Sequence, residues 1–559
     1  MLEEGIFKKI SDWEKNTSGW VKKELEDIDK LSEEEREMAL KERFLVDADF
    51  GTGGLRGIIR AGTNGINDNW VMRISSALSR YAKRVVIAYD TRRYSYDFAI
   101  LAAKVMIKNG AKVFLFSKPT PTPVLSYAVK KFNCDAGVVI TASHNPPEYN
   151  GYKVYDERGV QLVPGKVNKL KGIIEAEPFF FDVDDVVEDN IEFIYDEIKN
   201  DYLNTVLDEL DNLKGDFEER DNSDFSVVYS PLHGTGADFV PDILERMKVK
   251  CFTVERQMDP DSNFSTVGIP NPENPEVFEL CREKAESLEK KPEVLVTTDP
   301  DADRIGILVF NGTEYVPLNG NELGVLFLDY LCRMIKLPLR SKILKTIVTT
   351  DMAFDIADKH GYDVYETLTG FKFLGDVSDK FRKEGEKVLF SFEESFGYLF
   401  GTHCGDKDAV STIALLMLLL ENIKSEFGTD LPGRLEYLRS EYGYYIEKLK
   451  SYSFYGIEGM NIINSLMNSV RNGLCDNIFE YGLKASTDFE KEKGDMKSNV
   501  IRLEFENNVK IIFRPSGTEP KIKVYLSVKN DDMDESEKTL KYIEEKIEKF
   551  IKEQTDNQE

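Results

Sequence analysis

Cysteine, histidine and tryptophan are scarce: 6, 4 and 3 residues among 559. The cysteines, at 134, 251, 281, 332, 404 and 475, are scattered and form no CxxC pair. A disulfide framework and a structural zinc site are therefore not expected, and a reduced, cytoplasmic location is. The four histidines, at 144, 233, 360 and 403, leave little material for a Ser-His-Asp triad, and no GxSxG elbow surrounds any serine. Long apolar runs are missing. The longest, AVSTIALLMLLL, has 12 residues (409–420) between Asp408 and Glu421, too short for a bilayer, and reads as a buried helix. The opening MLEEGIFKKISDW has no apolar core of a secretory signal. Positive charge is in deficit, 73 Lys and Arg against 100 Asp and Glu, for a net charge of −27. That balance argues against nucleic-acid partners and anionic membranes, so a phosphate-bearing ligand needs a locally basic pocket.

What is present is ordinary for a globular protein, 41% hydrophobic and 31% charged, and too long for one core. Residues 11–45 read as helical, with Ser32 and Glu35 spaced as a capping box. From VVIAY (85–89) onward, short β-branched runs alternate with helical stretches: KVFLF (112–116), a helix over about 121–132, then GVVIT. This βαβ rhythm predicts largely parallel sheets. It returns at 226–254 and at 345–392, where KTIVTT, DVYET and KVLFSF read as strands. Residues 192–213 read as one long connecting helix. The C-terminus differs: VIRLEFE and VKIIFR flank Asn507-Asn508, a hairpin signal, and KIKVYLSV and an amphipathic helix near 534–553 follow. The expectation is an α/β chain with three mixed-sheet α/β domains of related topology and a C-terminal antiparallel α+β domain.

Four loops that follow strand-like runs carry the chemistry, where α/β sheets place their ligands. TASHNPPEYNGYK sets Ser143 beside His144, with Lys153 downstream; an isolated serine there would be a capped turn. DPDADR alternates Asp299, Asp301 and Asp303 and ends in Arg304. An EF-hand reading fails, because Arg304 and Phe310 stand where Gly and Glu are required. Three converging carboxylates repel unless a hard cation lies among them, and oxygen donors select Mg²⁺, Mn²⁺ or Ca²⁺. RPSGTEPK offers Arg514, Ser516, Gly517, Thr518 and Lys521 as a phosphate cradle. FEESFG places Glu393 near Ser395, a pair suited to sugar hydroxyls, and TLTGFKFLG adds Lys372.

From FGTGGLRG (50–57) to RPSGTEPKIK (514–523), these stretches together resemble the α-D-phosphohexomutase superfamily: phosphoglucomutases, phosphomannomutases and their phosphopentomutase relatives. The resemblance implies four domains around a central cleft: 1–200 with the N-terminal helical extension and the phosphoserine loop, 201–316 with the metal loop, 317–436 with the sugar loop, and 437–559 with the phosphate loop. It implies that Ser143 carries a phosphoryl group, and that Asp299, Asp301, Asp303 and the phosphorylated Ser143 hold Mg²⁺. Arg56, His144 and Lys153 would assist proton and charge handling. Arg304, Thr369, Gly370, Lys372, Glu393, Ser395 and Lys407 would face the sugar phosphate, and Arg514, Ser516, Gly517, Thr518 and Lys521 its non-reacting phosphate. Glucose 1,6-bisphosphate would be the activator. The partner is a sugar phosphate, with no nucleic acid and no membrane, and the state a monomer or weak homo-oligomer. Phe396-Gly397-Tyr398 after Ser395, with the helical extension, resembles the longer phosphoglucomutase and phosphopentomutase branch. Glucose phosphates rank first, mannose phosphates second and pentose phosphates third. A hexose-bisphosphate synthase would use the same residues. A dead scaffold relative would have lost the serine or an aspartate.

Overall fold

The computed structural model describes residues 4–51, 53–183, 185–211, 213, 225–454, 456–475, 478–516 and 520–556. Three helices, Glu4–Asn16, Gly19–Ile28 and Glu33–Phe44, open the chain, and the last carries the expected capping box between Ser32 and Glu35. They close on a small core in which Trp13 packs against Phe44 and against Phe179 and Phe180 of the next unit.

The first sheet comprises β1 (Gly54–Ile58), β2 (Arg84–Tyr89), β3 (Lys112–Phe116), β4 (Ala136–Ile140), β5 (Tyr149–Asp156) and β6 (Glu192–Ile194), in the order β1-β5-β4-β2-β3-β6. β4, β2, β3 and β6 run parallel, while at one edge β5 lies antiparallel to both β4 and β1. The second sheet holds β7 (Ser226–Ser230), β8 (Lys250–Thr253), β9 (Val294–Thr298), β10 (Ile305–Phe310) and β11 (Tyr315–Leu318), ordered β11-β10-β9-β7-β8. The third holds β12 (Lys342–Thr346), β13 (Asp363–Thr367), β14 (Val388–Glu393) and β15 (Gly397–Phe400), ordered β13-β12-β14-β15. In both, a parallel core ends in an antiparallel hairpin. β16 (Tyr444–Ser453), β17 (Leu483–Asp488), β18 (Ile501–Phe505), β19 (Val509–Pro515) and β20 (Lys521–Asn530) form a fourth, wholly antiparallel sheet, backed by the helix Met533–Asp556. The fold is the expected one: three mixed α/β sheets and an antiparallel α+β unit.

The apolar run at 409–420 lies in the helix Ala409–Asn422, buried along nearly its whole length and capped by Asp408. Asn507 and Asn508 both adopt positive φ, 60° and 54°, as a two-residue type I′ turn requires. Two expectations need correction. Residues 192–213 are not one helix: 192–194 form β6 and the helix spans Asp196–Asp211. The apolar Phe193-Ile194 is taken by the edge of β3, a pairing that helical periodicity cannot reveal. The run at 345–350 is not a strand throughout. β12 ends at Thr346, and the Thr349 N–H then bonds the Thr346 carbonyl to close a turn. No helix among the described residues is long and apolar enough to cross a membrane.

Candidate active site

Ser143 follows β4 by three residues in a turn that gives it φ of +52°, a conformation L-residues avoid. Arg92, from the loop after β2, holds it there. Its guanidinium donates to the carbonyls of Ser143 and Asn145 at 2.5 Å and of Pro146 at 2.8 Å. Asp90 pairs with Arg92 at 3.3 Å, and both side chains are fully buried. The loop is thus fixed by a charge on a neighbouring strand end as well as by its own turn, in which the Ser143 N–H donates to the Thr141 hydroxyl at 2.8 Å. Gly151 of β5 lets the strands close behind it, since a Cβ there would meet the Thr141 carbonyl at 2.4 Å.

The Ser143 hydroxyl donates to Asp299 Oδ2 at 2.7 Å and lies 3.2 Å from His144 Nδ1. Asp299 begins the β9–β10 turn, where its other oxygen accepts the backbone N–H groups of Asp303 and Arg304. Burial and the two neighbouring carboxylates push the Asp299 carboxyl well above its ordinary range. Asp301 is equally buried, yet Lys153 at 2.7 Å holds it below that range. Lys153 also lies 3.8 Å from Asp303, and Lys407 lies 3.0 Å from it. Burial, then Arg304 and Arg56, drive His144 well below its ordinary pKa, so its ring is neutral near pH 7. Arg56 on β1 and Lys153 on β5 are diagonal neighbours, since Arg56 opposes Gly151 and Gly54 opposes Lys153.

The cluster fits a divalent cation. Ligand oxygens of Asp299, Asp301 and Asp303 lie within 4.8 Å of one another. Asp301 Oδ1 and Asp303 Oδ1 are buried without a hydrogen-bond partner among the described residues. An all-oxygen donor set with two unanswered carboxylate oxygens is the chemistry of a hard ion.

Above this cluster opens a cavity of about 850 Å³. Arg56, His144, Lys153, Arg304, Thr369, Gly370, Lys372, Glu393, Ser395, Lys407 and Arg514 all line it. Ser143, only 3% exposed, and the three aspartates lie just below its floor. Arg304 is anchored to Glu273 at 2.8 Å. Burial raises the Glu393 carboxyl to about 7, against the pull of Lys407 and Arg304. Burial and then Arg514 lower the Lys372 ammonium to about 8. Ser516 and Lys521 do not line the cavity; they join backbone to backbone at the loop base at 2.7 Å. Gly517 and Thr518 lie outside the described residues.

Three contributors are missed by the motifs. Lys523 pairs in register with Arg514 and lines the cavity; strand alternation from Lys521 is the signal that could have found it. Tyr525 accepts from Arg514 at 3.3 Å. Arg92 carries no local signal beyond following a strand.

The chain is similar to known proteins in sequence and in fold. Residues 47–180 match the family described as phosphoglucomutase/phosphomannomutase, alpha/beta/alpha domain I, residues 200–312 match domain II, and residues 319–431 match domain III. The phosphoglucomutase of Staphylococcus haemolyticus is 34% identical over 532 residues, covering 89% of this chain and 94% of the relative. That of Staphylococcus epidermidis is 35% identical over 512 residues, covering 87% and 91%. A solved putative phosphomannomutase from Thermus thermophilus shares the fold with a TM-score of 0.66 at 22% identity, covering 89% of this chain and 99% of that one.

Proposed function

The chain belongs to the phosphoglucomutase/phosphomannomutase family, whose members are mutases, and on that premise we propose that it interconverts glucose 1-phosphate and glucose 6-phosphate through a phosphorylated Ser143. The observation that carries this reading is the placement of the Ser143 hydroxyl. It is bonded to Asp299 within a carboxylate cluster fit for a cation, beneath a cavity whose opposite wall is cationic.

One domain supplies each part: 1–200 the serine loop, 201–316 the aspartates, 317–436 the sugar loop and 437–559 the phosphate wall. The substrate phosphate rests on Arg514, Lys372 and Lys523, which line the wall. Glu393 and Ser395 bind the 3- and 4-hydroxyls, and Thr369, Gly370, Arg304 and Lys407 complete the sugar wall. The free hydroxyl at the other end attacks the phosphorus on Ser143. The new P–O bond forms as the bond to Ser143 Oγ breaks, giving glucose 1,6-bisphosphate. The sugar hydroxyl gives up its proton as it attacks, and Ser143 Oγ leaves and takes up one proton, so the serine ends as a free hydroxyl. Neutral His144, 3.2 Å from that oxygen, and Lys153 are the groups placed to hold a proton. Arg56 is too basic for that role and stabilises charge instead. Asp299, Asp301, Asp303 and an oxygen of the phosphorylated Ser143 would hold Mg²⁺, which would supply the positive charge that a loose phosphoryl transfer needs. The bisphosphate then turns, and Ser143 recovers the other phosphate. Glucose 1,6-bisphosphate restores any Ser143 that has lost its phosphate. The setting is cytoplasmic, as six scattered cysteines without a CxxC pair favour.

Glucose and mannose share the configuration at carbons 3 and 4, so mannose 1-phosphate should react measurably. Galactose inverts carbon 4 and leaves a buried polar group unpaired, a penalty of about 1–3 kcal/mol. A coupled assay on glucose, mannose, ribose and galactose 1-phosphates tests the order. Galactose 1-phosphate reacting as well as glucose 1-phosphate would refute the sugar wall. Bisphosphate made from an acyl-phosphate donor without isomerisation would identify a synthase.

A further inference from the structure

Lys407 reaches the cleft floor from the loop Gly401–Asp408, between β15 and the helix Ala409–Asn422, and that loop is held by residues far from any substrate. Glu209, in the helix Asp196–Asp211, takes three donors from it. Oε1 accepts the Thr402 N–H at 2.7 Å and the Thr402 hydroxyl at 3.1 Å, and Oε2 pairs with His403 Nδ1 at 2.6 Å. The other His403 nitrogen pairs with Asp408 Oδ2 at 2.7 Å, and the Tyr202 hydroxyl donates to that same oxygen at 2.6 Å. Asp408 Oδ1 caps the following helix by accepting from Val410 and Ser411 N–H groups. The backbone is cut to fit. Gly401 has φ of +75°, and a Cβ there would collide with the Glu209 carboxylate.

The His403 side chain is fully buried with a carboxylate on each nitrogen. Burial opposes its charge, but Cys404, Asp408 and Glu209 hold its pKa well above the ordinary value. Other charges surround it. Lys130 donates to the Thr402 and His403 carbonyls, and Arg382 to the Gly401 carbonyl. Asp406, held by the Tyr155 hydroxyl, sits next in the chain. Four residues beyond His403, Lys407 lies 3.0 Å from Asp303.

We propose that Glu209 and His403 are positioning residues for Lys407: together they lock the loop Gly401–Asp408 onto the helix Asp196–Asp211, so that the Lys407 ammonium stays on Asp303 at the edge of the sugar wall. The alternative use of the cluster, a metal held by His403, Cys404 and Asp408, is disfavoured because each group already has a partner. A displacement of about 1 Å in a group that orients substrate costs up to about a hundredfold, so the anchors need touch nothing in the cleft to matter.

This inference rests on the reading that Lys407 serves the cleft, and a double-mutant cycle separates the two. Glu209→Ala, Lys407→Met and the double variant are compared by kcat/KM. Each is also made in a Ser143→Ala background, where calorimetry gives the affinity for glucose 1-phosphate without chemistry. Glu209→Ala should lower kcat/KM by about ten- to a hundredfold. Once Lys407 is Met, it should change kcat/KM and affinity by less than about twofold. Losses that multiply would overturn the inference while leaving the cleft reading intact. A Lys407→Met enzyme with unchanged kcat/KM and affinity would overturn the cleft reading itself. Should Glu209→Ala lose its cooperative melt, Glu209→Gln and Tyr202→Phe keep the shape and carry the same cycle with smaller losses.

Discussion

The first three sheets and the fourth are joined to the rest of the molecule in different ways. Val86 of β2, Val227 of β7, Ile343 of β12 and Leu415 of the buried helix belong to one continuous apolar cluster. The fourth unit closes on its own core, from Ile463 to Ile551. It meets the third sheet through a small apolar patch, including Val348 and Phe373 against Ile512 and Tyr525, and through ions. Lys345, wholly buried, pairs with Asp351 and Glu366, and these in turn hold Lys510 and Arg502. Asp355 accepts from Lys529 and the Tyr445 hydroxyl. Apolar contact is non-directional, whereas ion pairs fix a geometry and depend on their partners. The end of the cleft proposed for the chemistry is therefore built into a common core, and the end proposed for the phosphate is docked against it. The two ends should fail differently: damage at the serine end should fall on kcat, and damage at the phosphate wall on KM.

The largest effect should come from Ser143→Ala, a loss of at least about a thousandfold in kcat, on the scale of removing a covalent nucleophile. Phosphate found by mass spectrometry on another residue of the active enzyme would refute the assignment. Asp301→Asn keeps the shape of the cluster but removes one charge. Turnover should fall on the order of a hundredfold, with Mg²⁺ affinity falling alongside it. Calorimetric affinity for glucose 1-phosphate should hold within about twofold if the two ends are independent; full activity in excess EDTA would contradict the cation reading. At the far wall, Arg514→Ala or Lys523→Ala removes a charge-assisted hydrogen bond, of about 1.5–3 kcal/mol. KM should rise by about ten- to a hundredfold with kcat little changed. A kcat loss as large as the KM rise would show that the docked wall also takes part in the chemistry.

The smallest effect is a pH dependence of the phosphate wall. Burial and Arg514 hold the Lys372 ammonium at about 8, so it is cationic below that pH and neutral above it. Affinity of the Ser143→Ala protein for glucose 1-phosphate should be level below about pH 7, be falling at pH 8 and drop by about tenfold toward pH 9.5. Lys372→Arg, charged throughout, should remove the drop. A curve unchanged by that substitution would place the titrating group elsewhere.

The chemistry-bearing loops are legible in the sequence because their residues are local. TASHNP, DPDADR and RPSGTEPK each concentrate their groups within a single turn between strands. The supports are not legible, because their partners are remote: Arg92 grips Ser143 from 51 residues away, and Glu209 grips His403 from 194. The sheet rhythm was readable for the same reason that its errors were local. Whether residues 192–195 continue a helix or pair as β6 depends on the free edge of β3, and only the folded sheet supplies that edge. Lys523 is intermediate. It lies one strand repeat from Lys521 and shares its face, but that this face meets the cleft beside Arg514 is decided by the pairing of the two strands.

The depth of Ser143 has a bearing on how often the enzyme must be primed. The oxygen that would carry the phosphoryl group is all but sealed from solvent, beneath a floor of Lys153, His144 and Arg304. Water competes poorly for a group whose surroundings are fixed protein dipoles and charges. If Ser143 carries the phosphoryl group as proposed, loss of phosphate to solvent would be slow beside transfer to a sugar seated in the cleft. The protein would then behave as a store that is charged once and used through many cycles, and its leak, rather than its turnover, would set how much bisphosphate must be supplied.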